Sequence, residues 1–209
     1  MHESGLLYDR FFLSFEIMNH IKRIAVFCGS SLGKKTPFRN ESLALAGHFH
    51  RHGIGLVYGG GNIGLMGILA DEMLKLGGEV IGVIPKKLVA LEVAHTGLTE
   101  LLIVDSMLER KARMMELSDA FVILPGGTGT LDEFFEVFTY KQLGYHAKPI
   151  AILNVSGFYD PLLELLENLS AQGFLDRKHP DALIVSETLA EMMEKILLND
   201  TGKSHKSKR

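Results

Sequence analysis

The chain has a single cysteine among its 209 residues, only six prolines, and no long apolar run. One cysteine cannot form an internal disulfide or a cysteine-based zinc cluster, which fits the reducing environment of the cytoplasm. Because no apolar run approaches the length that crosses a bilayer, we expect no membrane-spanning segment. The net charge of −3 at pH 7 leaves no excess of positive charge for extensive nucleic-acid binding. These features predict a cytoplasmic protein whose partner is neither a membrane nor a nucleic acid.

The overall composition is that of a globular protein. Hydrophobic residues make up 46% of the chain and charged residues 22%, close to the averages for soluble domains, so a wholly disordered chain is excluded. The 22 glycines show no three-residue period, which excludes a collagen-like chain. The length is that of one medium-sized domain.

The two ends of the chain are set apart from the rest. Residues 1–20 include an apolar stretch that lacks the basic start and the small-residue cleavage site of a signal peptide. We interpret residues 1–20 as an N-terminal extension, which is either dispensable or the product of a mis-set start codon, with Met18 as the candidate true start; the alternative is an arm that packs on a partner subunit. Residues 200–209 form a basic tail, either solvated or a weak phosphate-binding arm. The domain itself is predicted over residues 21–199.

Six short and almost continuously apolar runs predict buried strands, at residues 24–27, 55–58, 80–84, 101–104, 120–124 and 150–153. Continuous apolar runs are typical of parallel strands that are covered on both faces. Between the runs, apolar residues recur with helical spacing, so strands alternate with helices. The pattern predicts an α/β fold, a single Rossmann-like doubly wound domain with a mainly parallel sheet flanked by helices.

Three of these predicted strands end in glycine-rich turns, at residues 28–33, 59–67 and 125–133. In a doubly wound sheet, ligands bind at the carboxyl ends of the strands, where such turns lie. Glycine lets backbone N–H groups approach an anion, and the start of the following helix adds the positive end of its dipole. The three turns therefore predict a phosphate-binding surface along one edge of the sheet.

The second of these turns matches the glycine spacing of a dinucleotide fingerprint through Gly59, Gly61 and Gly64. That fingerprint follows the first strand and needs an acidic residue at the end of the next strand, whereas Glu79 stands at the beginning of its strand. None of the three turns has the Gly-Lys-Ser/Thr ending of a P-loop. The sequence therefore disfavours both NAD and ATP as ligands.

The third turn and the helix after the fourth predicted strand contain the residues suited to chemistry. Thr128 and Thr130 lie among three glycines, and Glu133 falls in the first turn of the next helix. A carboxylate there can offset the helix dipole, but beside a phosphate cradle it can also act on the attached sugar. Arg110 and Lys111 could supply positive charge from the same edge of the sheet, and a solvated helix face is the alternative interpretation.

Residues 125–133 resemble the PGGxGTxxE signature of the LONELY GUY (LOG) family, the cytokinin riboside 5′-monophosphate phosphoribohydrolases formerly labelled lysine decarboxylases. Further blocks are similar to the family in the same order, at residues 27–31, 56–61, 64–67, 107–111, 142–144, 148–149, 153–155 and 157–159. The resemblance runs from about residue 21 to residue 198. Several blocks in the correct order are a far more specific signal than one glycine motif.

The resemblance implies that Arg110 and Glu133 form the catalytic pair. It also implies a nucleotide site, to which the glycine-rich turns add further residues; the substrate-binding prediction comprises Ser30, Gly60, Gly61, Glu92, Lys111, Gly126, Gly127, Thr128, Gly129, Thr130 and Thr139. No metal and no cofactor is implied, and the family's usual assembly implies a homodimer or a higher homo-oligomer. Leu108 stands where the family commonly has His, and Tyr140 where it often has Trp.

The activity that the resemblance implies is hydrolysis of the N-glycosidic bond of a purine nucleoside 5′-monophosphate, which is AMP or a cytokinin-type nucleotide. The products would be the free base and ribose 5-phosphate. A non-catalytic nucleotide-binding or carrier protein on the same scaffold stays an alternative, because a fold does not imply a function. A decarboxylase is disfavoured, because no lysine stands in a motif suited to a pyridoxal phosphate Schiff base.

Overall fold

The computed structural model describes residues 21–89 and 94–204. Seven strands run through these residues: β1 Arg23–Phe27, β2 Gly55–Tyr58, β3 Val80–Pro85, β4 Glu100–Val104, β5 Ala120–Ile123, β6 Ile150–Leu153 and β7 Ile184–Ser186. The helices are α1 Thr36–Arg51, α2 Gly64–Lys75, α3 Lys86–Val89, α4 Met107–Glu116, α5 Thr128–Gln142, α6 Asp160–Ala171 and α7 Leu189–Ser204. All seven strands are parallel and form one sheet in the order β4-β3-β2-β1-β5-β6-β7.

This sheet confirms the predicted α/β class and the Rossmann-like doubly wound arrangement. Each of the six predicted strands is present, and its ends lie within one residue of the prediction. The hydrophobic pattern missed β7, a three-residue strand at the edge of the sheet, where Ile184 pairs with Ala151 of β6. A run of three residues is too short for periodicity to distinguish it from a loop. The predictions for residues 1–20, for Glu92 and for the end of the tail at 205–209 concern positions outside the described residues.

The sheet is stable because successive side chains enter two apolar cores on its opposite faces. On β1, Ile24 and Val26 pack with helices α1, α2 and α7, whereas Ala25 and Phe27 pack with α4, α5 and α6. Full burial of an isoleucine, valine or phenylalanine contributes about 1.5–3 kcal/mol. Within the described part of the chain, no helix combines the length and the apolar character needed to cross a membrane.

The direction in which the chain crosses the sheet reverses between β1 and β5. The chain winds outward from β1 through β2 and β3 to β4, then returns to β5 on the other side of β1. Ligands bind at the carboxyl ends of the strands beside such a reversal. Here Gly29 N donates a hydrogen bond to Pro125 O at 3.0 Å, and Gly29 O accepts one from Leu65 N at 3.0 Å. These bonds bring the three glycine-rich turns together at one place.

Candidate active site

A cavity of about 400 Å³ lies at the carboxyl edge of the sheet, beside the reversal. This volume is within the usual range for a small-molecule site. Eight of the residues predicted from the sequence form part of its wall: Ser30, Gly61, Arg110, Gly127, Thr128, Gly129, Thr130 and Glu133. The structure thus brings the proposed phosphate cradle and the proposed catalytic pair into one space.

Six further residues of the cavity wall are absent from the site predicted by the sequence: Cys28, Gly59, Ile63, Met66, Ile84 and Leu88. Most of them are apolar, and they form a non-polar wall that suits the flat face of a base. The signal that could have found them is their position, because Cys28, Gly59 and Ile84 stand at or just beyond the ends of strands that lead to the site. Met66 lies on α2 and Leu88 on α3, and both residues reach the cavity wall only because these helices pack beside it.

The β5–α5 junction, residues 124–133, presents an open helix start to the cavity. Gly127 is the N-cap of α5, and no side chain caps the helix. Among the described residues, the amides of residues 128–130 have no hydrogen-bond acceptor. Apart from the adjoining backbone, a Cβ placed on Gly127 or Gly129 would meet no atom of the described residues within 4 Å. Unpaired amides beside free space, at the positive end of a helix dipole, are the arrangement that binds phosphate.

The β2–α2 junction, residues 59–67, is closed by the protein itself. Gly29 O accepts hydrogen bonds from Leu65 N at 3.0 Å and from Met66 N at 3.4 Å. A Cβ on Gly64 would overlap the backbone of Ser30, and the φ of Gly64 is +64°. This helix start is therefore used to hold the turns together, which leaves the start of α5 as the better anion site.

Arg110 and Glu133 form a buried ion pair on the cavity wall. Nη1 of Arg110 lies 3.3 Å from Oε1 of Glu133, and each side chain is 10% exposed. The guanidinium is held from behind, because its Nε donates a hydrogen bond to Val83 O at 3.1 Å. Nη1 also lies 3.9 Å from the Sδ atom of Met107. The two predicted catalytic groups are thus side by side, in a fixed orientation and away from bulk water.

The surroundings of Glu133 make it a proton-exchanging group near neutrality. Burial raises the pKa of Glu133 from its ordinary value to about 7, the nearby Arg110 opposes that rise, and the negative charge of Asp132 adds to it. A carboxyl with a pKa close to the working pH can both hold and release a proton during catalysis. The planar guanidinium of Arg110 offers fixed N–H donors beside this carboxyl group.

Cys28 lies on the cavity wall, but its thiol is not poised to react. The residue is buried, and burial raises the pKa of the thiol far above its ordinary value, with a further contribution from the charge of Glu133. The thiolate is the nucleophilic form, so a raised pKa suppresses reactivity. Cys28 is therefore a buried thiol and not a nucleophile.

Four further predicted residues lie off the described part of the cavity wall: Gly60, Lys111, Gly126 and Thr139. Gly60 adjoins Gly61 within the β2–α2 junction, and Gly126 lines a neighbouring cavity of about 180 Å³. The Nζ atom of Lys111 is 3.2 Å from carboxylates of both Asp132 and Glu136.

The positions of Thr139 and Glu92 differ in how far the structure describes them. Thr139 is exposed on α5, nine residues beyond Thr130 in the sequence. Glu92 is outside the described residues. The assignment of Lys111, Thr139 and Glu92 to the nucleotide site stays a prediction.

The sequence of this chain is similar to those of known proteins. A family model with the description "possible lysine decarboxylase" matches residues 66–196. A protein of Oryza sativa subsp. japonica, named a probable cytokinin riboside 5′-monophosphate phosphoribohydrolase, is 45% identical over 174 residues, which is 83% of this chain and 78% of that protein. A cytokinin riboside 5′-monophosphate phosphoribohydrolase of Arabidopsis thaliana is 41% identical over 181 residues, which is 87% of this chain and 85% of that protein. The chain belongs to the LOG family.

The LOG-family match includes the helices that carry the cavity's buried ion pair, since Arg110 and Glu133 fall within residues 66–196. Among solved structures, the molybdenum cofactor binding protein of the phototrophic bacterium Rippkaea orientalis superposes with a TM-score of 0.64 at 20% identity. The superposition covers 84% of this chain and 95% of that protein. At this identity the likeness concerns the fold, which the LOG family shares with proteins of other functions.

Proposed function

We propose that this protein hydrolyses the N-glycosidic bond of a purine nucleoside 5′-monophosphate, either AMP or a cytokinin-type nucleotide, to the free base and ribose 5-phosphate. The names of its relatives at 41% and 45% identity support this reaction. The observation that carries the proposal is one cavity that joins an open helix start to a buried carboxylate–guanidinium pair. The wall of that cavity contains no lysine among the described residues, whereas a pyridoxal phosphate decarboxylase needs a lysine there.

The open start of α5 is the proposed site of the 5′-phosphate. The amides of residues 128–130 and the hydroxyl groups of Thr128 and Thr130 would hold it. Glu133 follows Thr130 by three residues, which is about 4.5 Å along a helix axis. A phosphate fixed at the helix start therefore brings its ribose beside the carboxylate. Binding energy from the phosphate, remote from the reacting carbon, orients that carbon.

In the proposed reaction, Glu133 and Arg110 act on the glycosidic bond of the bound nucleotide. The bond between the anomeric carbon and the base nitrogen breaks, its electrons leave with the base, and positive charge builds on the ribose. Ionised Glu133 stabilises that charge and takes the proton of the attacking water, whose oxygen bonds to the anomeric carbon. Arg110 donates a hydrogen bond to the departing base or to the phosphate, and the base finally acquires the proton that the water lost.

The test is product analysis. Purified protein is incubated separately with AMP and with isopentenyladenine riboside 5′-monophosphate, and chromatography measures free base and ribose 5-phosphate. We expect both products from the wild type, a loss of at least about 10³-fold in kcat for Glu133→Gln, and nucleotide affinity within severalfold of the wild type. The matched control is Glu136→Gln, because Glu136 lies on the same helix, is almost as buried as Glu133 and faces Lys111 instead of the cavity.

Full turnover by Glu133→Gln would contradict the assignment of the carboxylate. Tight nucleotide binding without any base release by the wild type would instead support the carrier alternative. The ratio of the two substrate rates distinguishes a cytokinin-activating enzyme from a nucleosidase for AMP.

The setting in which the enzyme works is a further part of the proposal. We expect a homodimer or a higher homo-oligomer, and we expect it in the cytoplasm, in keeping with the one buried cysteine. Large apolar side chains on the surface support self-association, since Leu108 and Leu143 are each 67% exposed and Tyr145 is 76% exposed. Sedimentation equilibrium measures the assembly directly, and a monomer at micromolar concentration would contradict it.

A further inference from the structure

Gly59, the first residue after β2, lies in contact with the guanidinium of Arg110. Gly59 is buried and forms part of the cavity wall. A Cβ at this position would overlap Nη2 of Arg110, and it would lie 3.1 Å from Cζ of the same side chain. The guanidinium therefore occupies the space that any other residue at position 59 would fill with its own side chain.

Backbone conformation does not explain why position 59 is glycine. Gly60 and Gly64 have φ values of +73° and +64°, which favour glycine, whereas the φ of Gly59 is outside the left-handed region. Alanine can adopt the backbone of Gly59 without strain. Apart from Arg110, the nearest obstacle to a Cβ is the flexible side chain of Met66, whose Sδ atom would be 3.3 Å away.

The guanidinium has little freedom to move aside and keep its place. Its Nε is bonded to Val83 O at 3.1 Å, and its Nη1 is 3.3 Å from Oε1 of Glu133. Gly59 borders the remaining side, at Nη2. A side chain at position 59 would push the guanidinium off at least one of these two partners.

We propose that Gly59 is a positioning residue for the reaction: its missing side chain makes the space in which Arg110 is held against Glu133. The role rests on the proposed function, because Gly59 acts through the catalytic pair and contributes no reacting group. A displacement of about 1 Å at a catalytic group costs on the order of 10²-fold in rate. Gly59, in the β2–α2 junction, thus affects the position of Arg110 on α4 relative to Glu133 on α5.

The first experiment compares Gly59→Ala with Gly47→Ala. Gly47 is a matched control on α1, where a Cβ would lie 3.3 Å from Nη1 of Arg51, an arginine that takes no part in the cavity. We expect kcat for base release to fall by about 10²-fold in Gly59→Ala, with KM changed by less than about threefold. Gly47→Ala should match the wild type. Equal kcat values for Gly59→Ala and the wild type would overturn the proposal.

The second experiment separates positioning from a general structural defect by repeating Gly59→Ala in an Arg110→Lys background. Lysine has no group at the place of Nη2, so a Cβ at position 59 no longer meets a guanidinium and approaches only the flexible side chain of Met66. We expect the additional loss in kcat to be within about threefold, far less than in the wild-type background. Equal losses in both backgrounds would show that Gly59 supports the fold and not the guanidinium.

A third measurement needs no turnover and keeps the inference testable if the proposed reaction fails. Carbon-13 NMR of labelled glutamate carboxyls follows the titration of Glu133 in the folded protein. Because Arg110 holds the pKa of Glu133 down against the effect of burial, we expect that pKa to rise above about 7 in Gly59→Ala and to stay unchanged in Gly47→Ala. A wild type without base release would refute the proposed function, whereas an unchanged Glu133 titration in Gly59→Ala would refute the role of Gly59.

Discussion

The β2–α2 and β5–α5 junctions look alike in the sequence but are used in opposite ways. Both are glycine-rich, and both lead from a buried strand into a helix at the same edge of the sheet. In the first, the glycines fill close contacts: Gly64 packs on the backbone of Ser30, and Gly59 packs on Arg110. In the second, Gly127 and Gly129 border open space. Gly126 of the second junction is close-packed as well, since a Cβ there would overlap Thr130, so the two junctions differ at Gly127 and Gly129, which leave free space beside the start of α5.

The largest expected effect tests the packed junction through Gly64→Ala. The new Cβ would overlap the backbone of Ser30, and the φ of +64° strains any residue other than glycine. We expect the free energy of unfolding to fall by about 3 kcal/mol or more, as measured by urea denaturation. A variant as stable as the wild type would show that the β2–α2 junction is not tightly packed, and the contrast with the other junction would fail.

The next effect concerns the cost of burying a carboxylate beside the open junction. In the folded protein the pKa of Glu133 is about 7, against an ordinary value of 4.5. Between these values the folded state binds more protons than the unfolded state, so the free energy of unfolding falls as pH rises through about 7. The shift corresponds to about 3 kcal/mol of unfolding free energy, which is fully retained below about pH 4.5 and is lost once the pH has risen through about 7.

Glu133→Gln lacks this titration, so its stability should fall less than that of the wild type as pH rises. Urea denaturation of both proteins between pH 5 and 8 measures the difference, in which the other titrating groups cancel. Parallel stability curves would mean that burial does not perturb Glu133 in the folded protein.

The smallest expected effect tests the open junction through Gly129→Ala. A Cβ here meets no atom of the described chain beyond the adjoining backbone, so the free energy of unfolding should change by less than about 1 kcal/mol. The methyl group would occupy the space beside the amides that we assign to the phosphate, and KM should rise by about tenfold. Steady-state kinetics together with urea denaturation distinguishes the two effects. Loss of stability without any change in KM would reverse the assignment of the two junctions.

Much of the fold could be predicted because its signals are local. Six strands have continuous apolar runs, and only β7, with three residues, is too short to be recognised. The glycine-rich turns were found for the same reason, and eight of the predicted site residues line one cavity. Arg110 and Glu133 were proposed from motif resemblance, and the structure places their side chains 3.3 Å apart.

The rest of the site depends on contacts between distant parts of the chain. The sequence cannot reveal that Gly29 O closes the start of α2 while the start of α5 stays open. It likewise cannot show that Lys111 is paired with Asp132 and Glu136, because these carboxylates come from another helix.

The sequence by itself determined the parallel sheet, the edge that carries the glycine turns, and the residue types available there, because hydrophobic periodicity and glycine act over a few neighbouring residues. Only the tertiary structure decided which helix start keeps unpaired amides beside free space, and that Gly59 makes room for an arginine 51 positions later in the chain. Both features result from packing and hydrogen bonding between elements that are distant in the sequence. Those contacts exist only once the strands and helices are assembled.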